Sequence, residues 1–224
     1  RMQHTFKVSL VAVVLAASAA AQAQSTGNLI ARIGAARISP SVSSGDMSAP
    51  FFPGARADVG DDTQLSGGLT YMVTNHWAVD VPLSVPFKLD LTGDGALAGV
   101  GKIGETKFMP LSVLVQYRFG EANAMFRPYV GAGPTYAKFF KARSTNTLTA
   151  LNGGTPANPT TLSLESKLAP TVQIGATVAL NDRWFVDAMV AKTWLKTRTT
   201  LSTGQTMDLR LNPTTVALAV GYRY

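Results

Sequence analysis

The sequence predicts an all-β fold: an eight-stranded antiparallel transmembrane β-barrel with short periplasmic turns and long extracellular loops. Large apolar residues occupy every odd position from 77 to 91, with small or polar residues between most of them. This two-residue period places the two sets on opposite faces of one strand. The run is longer than the about 5–6 residues usual in globular strands and suits a membrane-spanning strand, which needs roughly 9–11. The same alternation recurs along the chain, and the connections alternate between short and long.

Seven further segments alternate in this way. They cover residues 29–36, 65–73, 109–119, 129–136, 167–178, 184–194 and 215–224. Tight turns are predicted at residues 74–76, 120–124 and 181–183, and long polar loops at residues 39–63, 92–106, 143–163 and 199–207. Short turns at one end and long loops at the other are typical of outer-membrane barrels.

Aromatic residues are expected at both ends of the strands, where the membrane interfaces would lie. At the turn end these are Trp77, Tyr117, Phe119, Trp184, Tyr222 and Tyr224, and at the loop end Phe87, Tyr136, Phe140 and Trp194. A soluble eight-stranded barrel of the lipocalin type is the alternative, but it must present polar residues outward. The strand lengths and the aromatic ends argue against it.

The N-terminal segment is predicted to be a secretory signal peptide, residues 1–23, ahead of a transmembrane barrel domain at residues 24–224. Arg1, His4 and Lys7 precede an apolar stretch at residues 8–21, and Ala21-Gln22-Ala23 fits the small-residue cleavage pattern. The stretch is too short for a transmembrane helix, which needs roughly 20 apolar residues. We expect cleavage near Ala23 and a location in the outer membrane of a Gram-negative bacterium.

The composition argues against several functional classes. The formal net charge of +7 is modest, and no nucleic-acid partner is expected. The chain has no cysteine, so thiolate chemistry is excluded. Beyond the leader the only histidine is His76, in a predicted turn, which argues against a nucleophile-base pair. We therefore predict no enzyme activity, no cofactor and no metal site, and we read the loop carboxylates Asp58, Asp61 and Asp62 as solvated.

The inward faces of the strands predict a charged layer near the turn end of the barrel. Its members are Arg32, Asp80, Arg118, Asp187 and Arg223. An eight-stranded interior is just wide enough to be filled by side chains, so charges of both signs should pair there and plug it.

Toward the loop end, the predicted inward residues form an apolar chamber that could bind a ligand. They are Pro82, Pro86, Phe108, Phe139, Leu195, Leu209 and Leu211. A water-filled pore would be polar throughout, so this lumen favours a small hydrophobic ligand. The alternative is that these residues are only barrel core, and the same alternation also places Lys88 and Asp90 inward.

Pro82 and Pro86 carry a second interpretation. Proline cannot donate a hydrogen bond to a neighbouring strand and is confined to edges and bulges. Two prolines in one strand suggest a local loss of pairing and a lateral opening, although a bulge that only bends the strand is the alternative.

Basic residues are predicted to form a rim at the loop-side ends of three adjacent strands. The rim comprises Lys138, Lys141, Arg143, Lys192, Lys196 and Arg198, with Lys167 beside them. Lipopolysaccharide and other outer-membrane lipids present phosphates at that height, so we expect contact with them. An ordinary solvated rim is the alternative.

Several motifs resemble the OmpW family of small outer-membrane barrels. Residues 126–133 (Phe-Arg-Pro-Tyr-Val-Gly-Ala-Gly) with Tyr136, Phe139 and Phe140 are the most specific match. Residues 68–72, Thr74 with Asn75, 86–88, 101–106, 209–213 and 221–224 are similar to further family segments. The family usually ends in Phe where this chain has Tyr224, and an aromatic terminus is retained.

The resemblance implies an eight-stranded barrel proposed to pass small hydrophobic molecules that leave sideways into the membrane. It also implies recognition of the C-terminal strand, ending at Tyr224, by the outer-membrane assembly machinery. We expect a monomer. The alternative function is a structural, stress-related or surface-receptor barrel without transport.

Overall fold

The computed structural model describes residues 26–50 and 53–224, and the predicted signal peptide lies outside them. Over these residues the chain forms fifteen strands and one short helix. The elements are β1 (Leu29–Ser39), β2 (Ser43–Ser44), β3 (Ala55–Val59), β4 (Asp62–Met72), β5 (Trp77–Ser84), β6 (Phe87–Gly95), β7 (Lys102–Ser112), β8 (Leu114–Arg118), β9 (Phe126–Ser144), α1 (Asn146–Leu151), β10 (Leu162–Leu164), β11 (Lys167–Ala179), β12 (Trp184–Thr193), β13 (Lys196–Leu201), β14 (Thr206–Arg210) and β15 (Thr214–Arg223). None of the helical structure in these residues is long and apolar enough to cross a membrane.

Eight of the strands in the described chain close into an antiparallel ring. The order is β1, β4, β5, β8, β9, β11, β12 and β15, and β15 pairs back onto β1. Tight turns join neighbouring strands at one end, where the amides of Val73 and Leu180 donate to the carbonyl oxygens of Trp77 and Trp184 over 2.9 Å. The predicted eight-stranded barrel is confirmed.

The long connections contain regular structure that extends the wall beyond the ring. Strands β3, β6 and β7 continue the main sheet, and β10, β13, β14 and β2 form a second, four-stranded sheet. Helix α1 lies in the predicted loop at residues 143–163, and its N-cap residue Thr145 accepts a hydrogen bond from the amide of Leu148. The loop end is therefore a folded extension of the barrel.

The outer surface of the ring is apolar, as expected for a wall that faces lipid. Ile33, Ile174 and Leu218 are each more than 60% exposed. Aromatic side chains contact one another at the turn end, with ring centroids 5.0 Å apart for Trp77 and Tyr117 and for Trp184 and Tyr222. At the loop end, Tyr136 and Trp194 are exposed in the predicted interface belt. Phe140 is only half-buried there.

The strand predicted at residues 77–91 changes face near its middle. Leu83 and Val85 are each 46% exposed, whereas Phe87, Leu89 and Leu91 are at most 2% exposed. The strand is interrupted between β5 and β6, and after Pro86 the odd-numbered side chains point inward.

The interruption overturns three sequence expectations. The prediction that residues 87, 89 and 91 face lipid is wrong, as is the place given to Phe87 in the interface belt. The prediction that Lys88 and Asp90 point inward is also wrong, because both side chains are exposed. The alternation itself is correct throughout, but its phase relative to the barrel wall reverses.

Candidate functional site

The lower lumen contains a buried ionic cluster that joins three strands of the barrel. Arg32 on β1 donates to Asp187 Oδ2 on β12 at 3.0 Å and makes a short hydrogen bond to Asp80 on β5. All three charged groups are almost fully removed from solvent. Burying an ion is costly unless it is paired, so each carboxylate depends on the guanidinium for its place in the lumen.

Neutral side chains complete the hydrogen bonding of the two carboxylates. The Tyr129 hydroxyl lies 3.0 Å from Asp187 Oδ1, and the Thr70 hydroxyl donates to Asp80 Oδ1 over 2.6 Å. The Gln173 amide nitrogen lies 3.4 Å from the other Asp80 oxygen. Together these groups link six strands across the lumen. Sequence reasoning missed them as partners, although the alternation already placed Tyr129 and Gln173 on inward faces.

The other two predicted members of the charged layer differ in their placement. Arg118 lies over the ring of Tyr129 at 4.8 Å and donates to Gln116 Oε1 over 3.0 Å, so it lies beside the ionic cluster. Arg223 lies over the ring of Phe185 at 5.2 Å. Within residues 26–50 and 53–224, Arg223 has no carboxylate within 4 Å. The prediction of a single ion-paired layer of five is therefore wrong for Arg223.

A ladder of hydroxyl groups lies on the inward face, toward the loop end from the ionic cluster. Ser112, Thr135, Thr171 and Thr193 come from four neighbouring strands, and their oxygens are 2.7, 2.6 and 2.7 Å apart in succession. Cross-strand pairs of this kind stabilise a sheet. The sequence signal was the inward parity of each residue, but it gave no sign that the four would lie at one level.

Above the hydroxyl ladder, the upper lumen is filled by an apolar cluster, here called the apolar chamber. It contains five of the seven residues predicted for it: Phe108, Phe139, Leu195, Leu209 and Leu211. The rings of Phe108 and Phe139 have centroids 5.1 Å apart, and Leu195 and Leu209 are fully buried. The cluster is packed by its own side chains in this structure.

The apolar chamber is larger than the sequence indicated. Its further members include Ile38, Phe87, Leu89, Leu91, Leu97, Ile103, Leu148, Leu162, Leu201 and Met207. Three of these were missed because the strand reverses its face after Pro86. Most of the others lie beyond the eight predicted strands, in segments for which no facing was assigned.

Pro82 and Pro86 lie outside the apolar chamber, along an interruption in the barrel wall. Strands β5 and β8 are paired as far as Asp80 opposite Leu114, and their continuations β6 and β7 pair again from Phe87 opposite Phe108. No ladder pair joins residues 81–86 to residues 109–113, all of which the structure describes. Both edges keep their pairing to the far neighbours, β4 and β9. We call this interruption the wall gap.

Proline chemistry and an unsatisfied hydroxyl mark the wall gap. Pro82 and Pro86 on one edge and Pro110 on the other have no amide hydrogen to donate. Ser84 Oγ is buried and finds no hydrogen-bond partner among the described residues. The edges are half-buried and apolar at Val81, Pro82 and Met109, so the interruption lies between the apolar chamber and the apolar outer surface.

The residues of the predicted basic rim fall into two groups, those that are exposed and those that bind other groups of the chain. Lys138, Lys141, Arg143 and Lys196 are exposed. Lys192 instead donates to the carbonyl oxygen of Asn212 over 2.6 Å, and Arg198 pairs with Asp208 at 2.7 Å. The hydrogen bond from Arg198 lowers the pKa of Asp208 below its ordinary value. These two cations are already engaged within the chain.

The groups considered for catalysis or metal binding have other contacts. His76 Nδ1 lies 3.0 Å from the carbonyl oxygen of Arg118, at the turn end of the barrel. In the loops, Asp61 pairs with Arg37 at 2.7 Å and Asp62 accepts hydrogen bonds from Gln64 and from the amide of Lys88. Among the described residues there is no cluster of three or more side chains suited to a metal ion.

Comparison with known proteins agrees with this architecture. A sequence model of the OmpW family matches residues 25–224. The chain belongs to the OmpW family. This OmpW-family barrel is 36% identical over 217 residues to outer membrane protein W of Vibrio cholerae, covering 94% of this chain and 96% of that protein.

Two further relatives extend the comparison of this OmpW-family barrel. The crystal structure of the outer membrane protein OprG from Pseudomonas aeruginosa matches with a TM-score of 0.81 at 26% identity, covering 90% of this chain and 98% of that one. The dibenzothiophene metabolism operon protein PahQ of Pseudomonas aeruginosa is 27% identical over 175 residues, covering 77% of this chain and 76% of that protein. The fold is thus that of an outer-membrane barrel.

Proposed function

We propose that this barrel is a passive conduit for small hydrophobic molecules, which enter the apolar chamber from the loop end and leave through the wall gap into the membrane. The observation that carries the proposal is the wall gap beside the apolar chamber, on the loop side of a closed ionic floor. Each of the three parts has a separate physical role.

The ionic cluster prevents a straight route to the turn end. Arg32, Asp80 and Asp187 fill the narrow interior with paired charges, and an apolar solute gains nothing from replacing those pairs. A molecule that enters from the loop end therefore stops above the floor.

The apolar chamber offers contacts to a hydrophobic solute. Burial of one leucine-sized group contributes about 1.5–3 kcal/mol, so a few such contacts support weak, reversible binding after the costs of association. Because the chamber is filled by its own side chains, entry requires Phe139 or its neighbours to move aside.

The wall gap supplies the exit. The first ladder pair on its loop side, Phe87 opposite Phe108, belongs to the apolar chamber, so the chamber borders the gap directly. A solute moving through the gap passes from the apolar chamber to the apolar outer surface, and the only polar side chains among residues 81–86 and 109–113 are those of Ser84 and Ser112.

The relatives support a hydrophobic solute. PahQ is named for an operon of dibenzothiophene metabolism, and dibenzothiophene is an apolar aromatic molecule.

The test is uptake of a fluorescent hydrophobic probe by cells that lack or carry the barrel. Leu211→Asp and Phe139→Asp should abolish the added uptake, because each places a charge among the chamber side chains, whereas the exposed change Lys196→Gln should leave it intact. If the native barrel gives no more uptake than the empty membrane, a structural or receptor role without transport replaces the conduit.

The exit is tested by closing the wall gap. The chain has no cysteine, so Leu83→Cys and Leu111→Cys, on opposite edges of the gap, can be joined by a short thiol-reactive linker. This link should block uptake, and a matched link between Val79→Cys and Val115→Cys, which lie opposite each other in the paired wall, should not. Equal uptake through both linked barrels would exclude lateral release.

A further inference from the structure

Four basic side chains meet on the outer wall above the membrane band. Lys88 on β6, Lys107 on β7, and Lys141 and Arg143 on β9 surround a pocket of about 280 Å³, together with Glu105 and Thr106. Lys88, Lys141 and Arg143 are exposed and Lys107 is half-buried. We call this the basic pocket.

Two irregularities of the wall bring three of these cations to the outside. Lys88 faces outward only because the alternation reverses after Pro86. On β9, Thr135, Ala137 and Phe139 point inward, so unbroken alternation would also direct Lys141 and Arg143 inward.

A bulge on β9 changes the direction of Lys141 and Arg143. Lys107 lies opposite Phe140 and Glu105 lies opposite Arg143, so the β9 strand has an extra residue between the two pairs. Within the bulge, Lys141 adopts a φ of 52°, in the left-handed region that is unfavourable for a lysine. Bulges of this kind redirect side chains, and here the result is a concentration of positive charge.

One carboxylate, that of Glu105, lies at the basic pocket opposite Arg143, and a single negative charge does not balance four cations. Lys88 and Lys107 lie directly opposite each other on adjacent strands, an arrangement that is destabilising for like charges. Glu105 pairs with Lys102 at 2.8 Å, and the hydrogen bond from Lys102 lowers the pKa of Glu105. Among residues 26–50 and 53–224, no carboxylate lies within 4 Å of the four basic groups as an ion-pair partner.

The height of the basic pocket on the wall points to its ligand. Leu111 lies opposite Tyr136 in the exposed apolar band, the pair of Met109 and Lys138 follows, and Lys107 is the next outward position on β7. The pocket therefore begins where the lipid-facing surface ends. Anionic headgroups concentrate at this level, where they attract lysine and arginine side chains.

We propose that the basic pocket binds a phosphate group of an outer-leaflet glycolipid, lipopolysaccharide, and that Lys88, Lys107, Lys141 and Arg143 hold it. The site retains two residues of the predicted rim and adds two that the sequence did not indicate. It leaves out Lys192 and Arg198, which are engaged within the chain. The proposal is independent of transport, because the pocket lies on the outer surface of the wall.

The experiment measures binding of lipid A to the folded full-length barrel in detergent micelles by native mass spectrometry. The pocket variant is Lys88→Gln with Lys141→Gln. The matched control is Lys196→Gln with Arg210→Gln, which removes the same charge from two exposed positions that lie opposite each other elsewhere at the loop end. Heat-modifiable electrophoretic mobility confirms that each variant is folded.

The native barrel and the control should bind lipid A alike, and the pocket variant should bind about 30-fold more weakly, from the attraction lost with two lysines. Dephosphorylated lipid A should bind to the native barrel as weakly as lipid A binds to the pocket variant. An equal loss in the control, or equal binding of the dephosphorylated lipid, would overturn the proposal. Inorganic pyrophosphate that binds as tightly as lipid A would also overturn it, in favour of a free anion.

Discussion

At the residue scale, the lower lumen depends on Arg32, which neutralises two buried carboxylates at once. Asp80 and Asp187 are far apart in the sequence, and both pair with this guanidinium, while the Thr70 and Tyr129 hydroxyls hydrogen-bond to them. A carboxylate without a cation in such surroundings would be strongly destabilising. The stability of the closed barrel is therefore sensitive to this one side chain.

Replacement of Arg32 by Met is expected to destabilise the barrel by about 3–5 kcal/mol, since it leaves two buried carboxylates without their cation. Urea unfolding in lipid vesicles, followed by tryptophan fluorescence, measures the loss. Arg198→Met removes an exposed ion pair and should change little. Similar small losses in both variants would show that water reaches the carboxylates.

The hydroxyl ladder makes a second residue-scale prediction. Thr171 lies in its middle, with Thr135 and Thr193 oxygens 2.6 and 2.7 Å away. Thr171→Val keeps the shape but removes both hydrogen bonds, which costs about 1–3 kcal/mol. The same unfolding assay measures it, with the exposed change Thr200→Val as control, and no loss beyond that control would mean that water replaces the missing hydroxyl.

At the element scale, the irregular part of an otherwise regular ring is formed by β5 with its continuation β6 and by β8 with β7. The wall is interrupted at Pro86, a ladder is missing beside it, and β9 bulges one strand further on. All three irregularities lie near the top of the apolar band. Both proposals, lateral release and lipid binding, depend on this sector of the wall.

The reversal of facing after Pro86 can be tested by cysteine labelling, because the chain has no cysteine of its own. In intact cells, Lys88→Cys should react with a membrane-impermeant maleimide and Leu89→Cys should not, since the first is exposed and the second buried. Unbroken alternation along the strand would place Lys88→Cys in the filled lumen and Leu89→Cys against lipid, and neither would then react. Val85→Cys, which faces the lipid band, is expected to remain unlabelled.

The sequence predicted the eight barrel strands and, wherever these strands are regular, which side chains point into the lumen and which point outward. A two-residue period reports which residues share a face, but it does not report where a strand rotates. Lys88 was therefore assigned inward, although Pro86 two residues earlier marked the interruption. The ionic cluster was predictable in part: alternation placed Arg32, Asp80 and Asp187 in the lumen, whereas the separate position of Arg223 over Phe185 depends on packing that no local pattern encodes.

At the scale of the whole molecule, the interior is layered along the barrel axis. From the turn end come the ionic cluster, the hydroxyl ladder and the apolar chamber, and the extended loops fold over the chamber. The polar layers fill the lower lumen with hydrogen-bonded side chains, and the apolar layer borders the wall gap. Conduction of ions and release of a hydrophobic solute should therefore be separable properties.

Single-channel recording in a planar bilayer tests this separation. The native barrel should conduct poorly, and Asp80→Ala combined with Arg118→Ala should raise the conductance by removing charged side chains that fill the lumen. Uptake of the hydrophobic probe should change less than conductance does. A large native conductance that the double variant leaves unaltered would indicate an open pore.

The reversal of facing after Pro86 also fixes how deep the barrel sits in its bilayer. Up to Val85 the outward side chains are apolar, and the next outward ones, Lys88 and Asp90, are charged, so the boundary with solvent falls between Val85 and Lys88. If the barrel moved deeper into the bilayer, lysine ammonium groups would enter the hydrocarbon. The free-energy cost would be up to about 2–4 kcal/mol for each lysine near the midplane. Raising the barrel would strip lipid from Leu83 and Val85 and expose them to water. The change from apolar to charged side chains therefore sets the membrane-water interface on this side of the barrel. It opposes displacement along the bilayer normal and keeps the wall gap at the level of the acyl chains.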